Sequence, residues 1–276
     1  MYIAIDIGGT NIRVAAFKNN NQFKFKFLKK FFVVNNYKQD LEKIISTITD
    51  FKVKVDSIGV SVAGKLDSSG KILVSPNLTG WNGKKPALDL NKHFKCRVVI
   101  QNDAYAGALA EAEFGKGRKK EFLYIIWGTG IGGAIVRVNN HKPIITALEP
   151  GHQVFNFTKR KCGCGQIGCL ELSCGGDGIV KTYKKNILKI TDKQWNEVGN
   201  RIALGIAQML VNNPVDIIIF AGAIAVHRKN QIKQIKQNLK NNLHIIKPPT
   251  KLMVSSFKDY SSLAGALALL KYYDKN

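Results

Sequence analysis

Apolar positions along the chain fall into short runs broken by glycine, asparagine and lysine. Residues 2–7 form an apolar run that ends in Asp6-Ile7-Gly8-Gly9-Thr10-Asn11, and a second run, 12–17, follows at once. Two strand patterns joined by glycines predict a hairpin. Phenylalanine alternates with lysine at Phe23, Phe25 and Phe27, so 23–34 predicts a third strand with one buried and one wet face. Leu41, Ile44, Ile45 and Ile48 share a helical stripe. Residues 55–63 read as a buried strand, 65–74 as a surface hairpin turning at Ser68-Ser69-Gly70, 86–94 as a short helix and 96–101 as another buried strand. An alanine-rich helix, 104–114, follows Asn102-Asp103, which places Asp103 at a helix N-terminus as its expected cap.

The second half opens in the same way. A strand at 122–127, the turn Gly128-Thr129-Gly130-Ile131-Gly132-Gly133 and a β-branched strand at 134–138 repeat the first pattern about 120 residues further on. The turn matches G-x-G-x-x-G, but a strand rather than a helix follows, so it does not read as a dinucleotide fingerprint. Either glycine turn offers backbone N–H groups able to cradle phosphate oxygens. Beyond it, 195–211 carries a helical stripe through Val198, Ile202, Ile206 and Met209. Residues 216–220 and 252–257 read as strands, 230–243 as a lysine-rich amphipathic helix and 263–273 as a closing helix. A duplicated α/β protein with two units packed across a cleft is the expectation. The boundaries are set at 1–102 completed by 262–276, and at 103–261.

Between these halves lies EPGHQVFNFTKRKCGCGQIGCLELSCG, residues 149–175, with four of the five cysteines. His152, Cys162, Cys164 and Cys169 are spaced H-x9-C-x-C-x4-C, a set suited to one tetrahedral zinc with no open coordination position. Glycines 163, 165 and 168 allow the tight turns needed for three sulfurs to converge. Disulfides are the competing reading, but they need an oxidising compartment, and 1–6 carry no export signal. Zinc is therefore expected at 152–169. Glu149 and Glu171 flank the knot and read equally well as ligand-binding or solvated acids.

Composition changes the picture in one respect. Lysine and arginine number 42 against 19 acidic residues, a net charge of +23. That balance suits polyanions, yet the lysines are spread from Lys18 to Lys275 with no basic tail or DNA-reading motif. Weak, salt-sensitive adhesion is expected and specific nucleic-acid binding is not. No apolar run approaches a membrane span.

Taken together, Asp6 to Asn11, Asn102-Asp103-Ala104, Gly128 to Gly133, Glu149-x-Gly151-His152 and CGCGQIGCLE resemble the ROK family of sugar kinases and repressors. The resemblance implies duplicated actin-like ATPase (ribonuclease-H-like) domains with an interdomain cleft and a structural zinc loop. It implies that Asp6, Gly8, Gly9, Thr10 and Asn11 form one phosphate hairpin, with Asp6 near Mg2+. Gly128, Thr129, Gly130 and Gly132 would form the second turn for ATP, and Gly222 the adenosine side. Asn77, Asn102, Asp103, Glu149, His152 and Glu171 match sugar-contacting positions, with Asp103 as the catalytic base. His152 would then serve both zinc and sugar. The implied reaction is ATP-dependent phosphorylation of a hexose 6-hydroxyl, with glucose first. N-acetylglucosamine, N-acetylmannosamine and fructose are the alternatives. A sugar-responsive repressor is the remaining alternative, disfavoured because the first strand begins at residue 2. A cytoplasmic homodimer or larger homo-oligomer is expected. Departures from the family pattern stand at Tyr105, Trp127, Ala221, Ala223 and Tyr260-Ser261-Ser262-Leu263.

Overall fold

The computed structural model describes residues 1–274; positions 275 and 276, the end of the expected closing segment 262–276, lie outside the described residues. Two compact units are present, Met1–Arg118 with Tyr260–Asn276, and Lys119–Asp259.

In the first unit β1 (Tyr2–Ile7) and β2 (Asn11–Phe17) form the antiparallel hairpin expected from the glycines, with Ile7 opposite Ile12. β3 (Phe25–Phe32) pairs antiparallel with β2. α1 (Tyr37–Asp50), capped by the Asn36 side chain, leads to β4 (Ser57–Val62), which runs parallel to β1. The hairpin β5 (Lys65–Leu66) and β6 (Ile72–Val74) and the helix α2 (Pro86–Phe94) precede β7 (Arg97–Asn102), parallel to β4, and then α3 (Asp103–Glu113). The strand order is β3-β2-β1-β4-β7.

The second unit repeats that order as β10-β9-β8-β11-β12. β8 (Phe122–Trp127), β9 (Ile131–Asn139) and β10 (Lys142–Leu148) form the antiparallel part. α4 (Glu171–Cys174), α5 (Gly176–Tyr183) and the long α6 (Asp192–Asn212) follow the cysteine loop. β11 (Ile217–Ala221) joins β8 in parallel, then come α7 (Ala223–His227), α8 (Lys229–Asn242) and β12 (Lys251–Val254), parallel to β11. A Thr191–Gln194 capping box starts α6, and the stripe of Val198, Ile202, Ile206 and Met209 is buried as its spacing requires. On α8 the lysine-rich face is mostly exposed, and Ile232, Ile235 and Leu239 are buried. Among the described residues no helix is long and apolar enough to cross a membrane.

The chain then returns to the first unit. α9 (Ser261–Asp274) packs along α3 and across β1 and β4. This pairing moves the unit boundaries from 102/103 and 261/262 to 118/119 and 259/260, because α3 has its packing partner in α9. Period 2 sorts the sheet's side chains. Ile3, Ile5, Ile7, Ile12 and Val14 face Ile44 and Ile48 of α1, whereas Ala4, Ala15 and Phe17 face Leu263, Ala266 and Leu267 of α9.

Two strand readings need correction. Phe17 pairs with Phe25 while Ala16 pairs with Phe27, so Lys26 is the extra residue of a bulge. The bulge puts Phe27 against Phe51 on the α1 side and Phe25 against Phe17 and Tyr260 on the α9 side. The Phe/Lys alternation therefore gives no single dry face, and Phe25 remains 38% exposed. β10 was not expected at all: adjacent Ile144 and Ile145 hide its alternation, and Pro143 is tolerated because β10 is an edge strand.

Candidate functional site

In the first unit the turn after β1 is closed by Gly8 N–H donating to Asn11 O at 3.0 Å, with Gly9 and Thr10 exposed at its tip. Asn77 is exposed beside it, close enough that a methyl group on Gly9 would fall 2.6 Å from its Cβ. Asp6 ends the apolar alternation of β1 on the α9 side of the sheet. Its carboxylate is 7% exposed and accepts from Arg13 Nη1 at 2.8 Å. Burial pushes the Asp6 pKa up, and the Arg13 charge and hydrogen bond pull it part of the way back. Ser61, in register with Asp6 on the neighbouring β4, has a buried hydroxyl without a partner among the described residues. Sequence reasoning missed both Arg13 and Ser61. The signal for Arg13 was a charge inside the apolar strand NIRVAAF, at the position that faces Asp6.

Asn102 and Asp103 end β7 and begin α3. The helix cap is Asn102, not Asp103: Asn102 Oδ1 accepts from Ala104 N at 2.9 Å and Tyr105 N at 3.2 Å. Its Nδ2 donates to Gly64 O and to Asp103 Oδ1, each at 3.0 Å. Asp103, one residue later, is half-buried and also accepts from its neighbour Ala104 N at 2.9 Å. Asn102 thus spends both ends of its amide on the backbone and on Asp103. Tyr105 packs with Tyr272 and Tyr273, and burial pushes its hydroxyl pKa up.

In the second unit the glycine turn after β8 is closed by Gly128 N donating to Gly130 O at 3.0 Å, with Thr129 exposed and Gly132 half-buried. The segment after the cysteine loop straps this turn from behind. Gly176 N donates to Gly128 O at 2.8 Å, Asp177 N to Thr129 O at 3.3 Å, and Trp127 Nε1 to Cys174 O at 2.7 Å. Glu171 Oε2 accepts from Ile131 N at 2.9 Å. Gly222 follows β11 with φ of 88°, and a Cβ there would meet Trp127 O at 2.5 Å. Only glycine fits that contact, so the glycine between Ala221 and Ala223 is the one the turn requires.

The cysteine loop folds as its spacing predicts. His152, Cys162, Cys164 and Cys169 bring one ligand atom each to within 4.8 Å of one another. Cys162 Sγ lies 3.6 Å from His152 Nδ1, and Cys164 Sγ 3.6 Å from Cys169 Sγ. Bonds of roughly 2.0–2.3 Å to a tetrahedral zinc imply ligand-to-ligand edges of about 3.5 Å, so the donor set and spacing fit that ion. All five cysteines are free thiols. Arg160 ties the loop to the helices behind it through Leu172 O, Gly178 O and Thr182 Oγ1. Glu149 is exposed, its carbonyl accepting from His152 N at 3.1 Å.

Two five-stranded sheets of identical order, each opening on a hairpin whose glycine turn presents backbone donors, define the duplicated actin-like ATPase class. Within that class the chain belongs to the ROK family, whose sequence profile matches residues 2–272. It is 30% identical over 207 residues to an N-acetyl-D-glucosamine kinase of Citrobacter koseri, spanning 67% of this chain and 66% of that protein. A glucokinase of Thermotoga maritima is 28% identical over 196 residues, 68% of this chain and 61% of that one. The match thus spans somewhat under two thirds of the length of these curated relatives. A ROK glucokinase from Streptomyces griseus, solved with glucose and AMPPNP, superposes with a TM-score of 0.78 at 19% identity, covering 97% of this chain and 98% of that one.

Proposed function

We propose that this protein transfers the γ-phosphoryl group of ATP to the 6-hydroxyl of a hexose, glucose first and N-acetylglucosamine next. N-acetylmannosamine and fructose remain within reach of the same chemistry. The single observation that carries the reading is Asp103. It stands in the first turn of α3, with one carboxylate oxygen held by Asn102 Nδ2 and Ala104 N. The dipole at a helix N-terminus favours a negative charge there, which suits a base for a sugar hydroxyl.

Phosphoryl transfer asks the protein mainly for positioning. The turns at Gly8–Asn11 and Gly128–Gly133 supply backbone donors for the nucleotide phosphates, and Gly222 gives close backbone approach on the adenosine side. Asn77, Glu149, His152 and Glu171 would contact the sugar, and Asn102 would hold Asp103 in place. Mg2+, which neutralises charge on the phosphates when bound, would be held near Asp6, whose second carboxylate oxygen is not taken by Arg13. Zinc would be held by His152, Cys162, Cys164 and Cys169 and would be structural, since four protein ligands close its coordination shell. With Nδ1 turned to Cys162, His152 presents Nε2 for a sugar hydroxyl.

The relatives' names support both a glucose and an N-acetylglucosamine substrate. A coupled ADP-release assay over glucose, mannose, fructose and the N-acetylhexosamines tests the proposal. ADP release with one hexose well above the rest supports it. Sugar binding without ADP release on any hexose would make the protein a sensor rather than a kinase.

A further inference from the structure

The cysteine loop and the second glycine turn are joined by one side chain. Glu171 lies two residues beyond Cys169, on the short helix that the loop leads into. Its Oε2 accepts from Ile131 N at 2.9 Å, inside the turn. The carboxylate packs closely against two glycines: a Cβ on Gly130 would fall 2.3 Å from Glu171 Oε2, and one on Gly151 would fall 3.2 Å from the same atom. A side chain at 130 would displace the carboxylate from behind the turn. Further strapping bonds from this segment, at Gly128 and Thr129, are made by backbone groups. Ile131 is the turn amide that relies on a side chain.

The position of that side chain is set by the loop. Cys169 and Leu170 are buried, Leu170 N donates to Gln153 O at 2.8 Å, and Leu172 N donates back to Cys169 O at 3.1 Å. Glu171 thus starts a helical turn whose first anchor is a cysteine of the metal knot. Thiols and an imidazole alone hold that anchor through weak contacts, whereas four bonds to one ion fix it.

We propose that Glu171 is a positioning residue for the second glycine turn, and that metal at His152, Cys162, Cys164 and Cys169 strengthens nucleotide binding through it. The nucleotide half of this rests on the kinase reading above. Among the described residues Oε1 has no hydrogen-bond partner, so the same carboxylate can take a ligand hydroxyl while Oε2 keeps the turn closed.

The test uses the full chain, metal-loaded and chelated, as wild type, Glu171→Ala and Glu171→Gln, with no sugar present. Amide exchange at Ile131 and affinity for AMPPNP are measured on each. Chelation of the wild type should speed Ile131 exchange and weaken AMPPNP binding, each on the order of tenfold, the usual size of a coupling between sites. Metal-loaded Glu171→Ala should show the same two losses, and chelating it should add little to either. Glu171→Gln, which keeps an acceptor oxygen, should lie between it and the wild type. If chelation leaves both readouts of the folded wild type unchanged, the proposal is wrong. It is equally wrong if chelation costs Glu171→Ala as much as it costs the wild type. Should chelation unfold the protein, metal-loaded Glu171→Ala decides: wild-type exchange at Ile131 would overturn the proposal. Metal-loaded wild type that binds no nucleotide would sink the kinase reading, and the exchange comparison would still decide whether Glu171 couples knot and turn.

Discussion

Asp6 and Arg13 face each other across the first hairpin, with Arg13 Nη1 2.8 Å from Asp6 Oδ2 and the guanidinium 6.0 Å above the Tyr260 ring. The pair answers a specific difficulty. Burial alone drives a carboxylate toward its neutral form, and Arg13 offsets part of that cost.

Arg13→Met should therefore destabilise the first unit by about 3–5 kcal/mol, because it leaves a buried carboxylate without its partner. The sign with pH follows from the shift. The folded pKa of Asp6 is raised above its ordinary value, so its contribution favours folding below that value and fades as pH rises through the folded pKa. Without Arg13 the folded pKa rises further. Urea titrations from pH 4 to 8 should show the variant losing more stability toward neutral pH than the wild type. Equal losses would mean that the guanidinium does not reach Asp6 in solution.

The His152, Cys162, Cys164 and Cys169 cluster gives a second prediction. Purified protein should carry about one zinc per chain, and Cys164→Ser should lower that content and weaken sugar binding. Cys164 is the exposed ligand of the four, so the substitution itself disturbs little packing. Structural zinc in small domains is worth on the order of 10 kcal/mol, but here the cores of both units fold around their own apolar faces, so the variant should remain folded. Metal analysis by mass spectrometry with circular dichroism decides it; active, freshly purified protein without zinc would remove the knot from the mechanism.

Much of this was legible in the chain because the decisive signals are local. Glycines between two apolar runs announced both hairpins, and the H-x9-C-x-C-x4-C spacing announced a cluster that the fold closes to within 4.8 Å. What stayed hidden depends on register or on tertiary contact. The bulge at Lys26 cannot be read from a Phe/Lys alternation, and Asn102 took the cap from Asp103 because its amide also reaches Gly64 on another segment. The boundary misplaced at Asp103 has the same origin, since α3 is assigned to its unit by a helix that begins well over a hundred residues later.

The charge of +23 leads to a third prediction. Lysines lie on β3, on α8 and in the connecting loops rather than on one surface element. Retention on DNA should be sequence-blind and should fall steeply with salt, as counterion release requires. Gel-shift titrations at low and physiological salt test this. A complex that survives physiological salt on one sequence, and responds to sugar, would favour a repressor.

The last prediction separates the two residues at the start of α3. Asp103→Asn leaves the cap untouched, because Asn102 makes both capping bonds. It also keeps an oxygen able to accept from Ala104 N. What it removes is the negative charge and with it the proposed base. Turnover should fall by at least about a hundredfold, within the usual 10²–10⁴-fold range for a general base, while sugar affinity changes far less. Asn102→Ala works in the opposite sense. It removes the cap, costing about 1 kcal/mol of stability, and frees Asp103 from the Asn102 amide without altering its charge. Thermal melting should register Asn102→Ala and pass over Asp103→Asn; turnover should fall moderately in the former and collapse in the latter. Steady-state kinetics with calorimetric sugar binding on the two variants make the comparison. Near-normal turnover in folded Asp103→Asn would leave Asp103 as a residue of the helix start with no part in the chemistry.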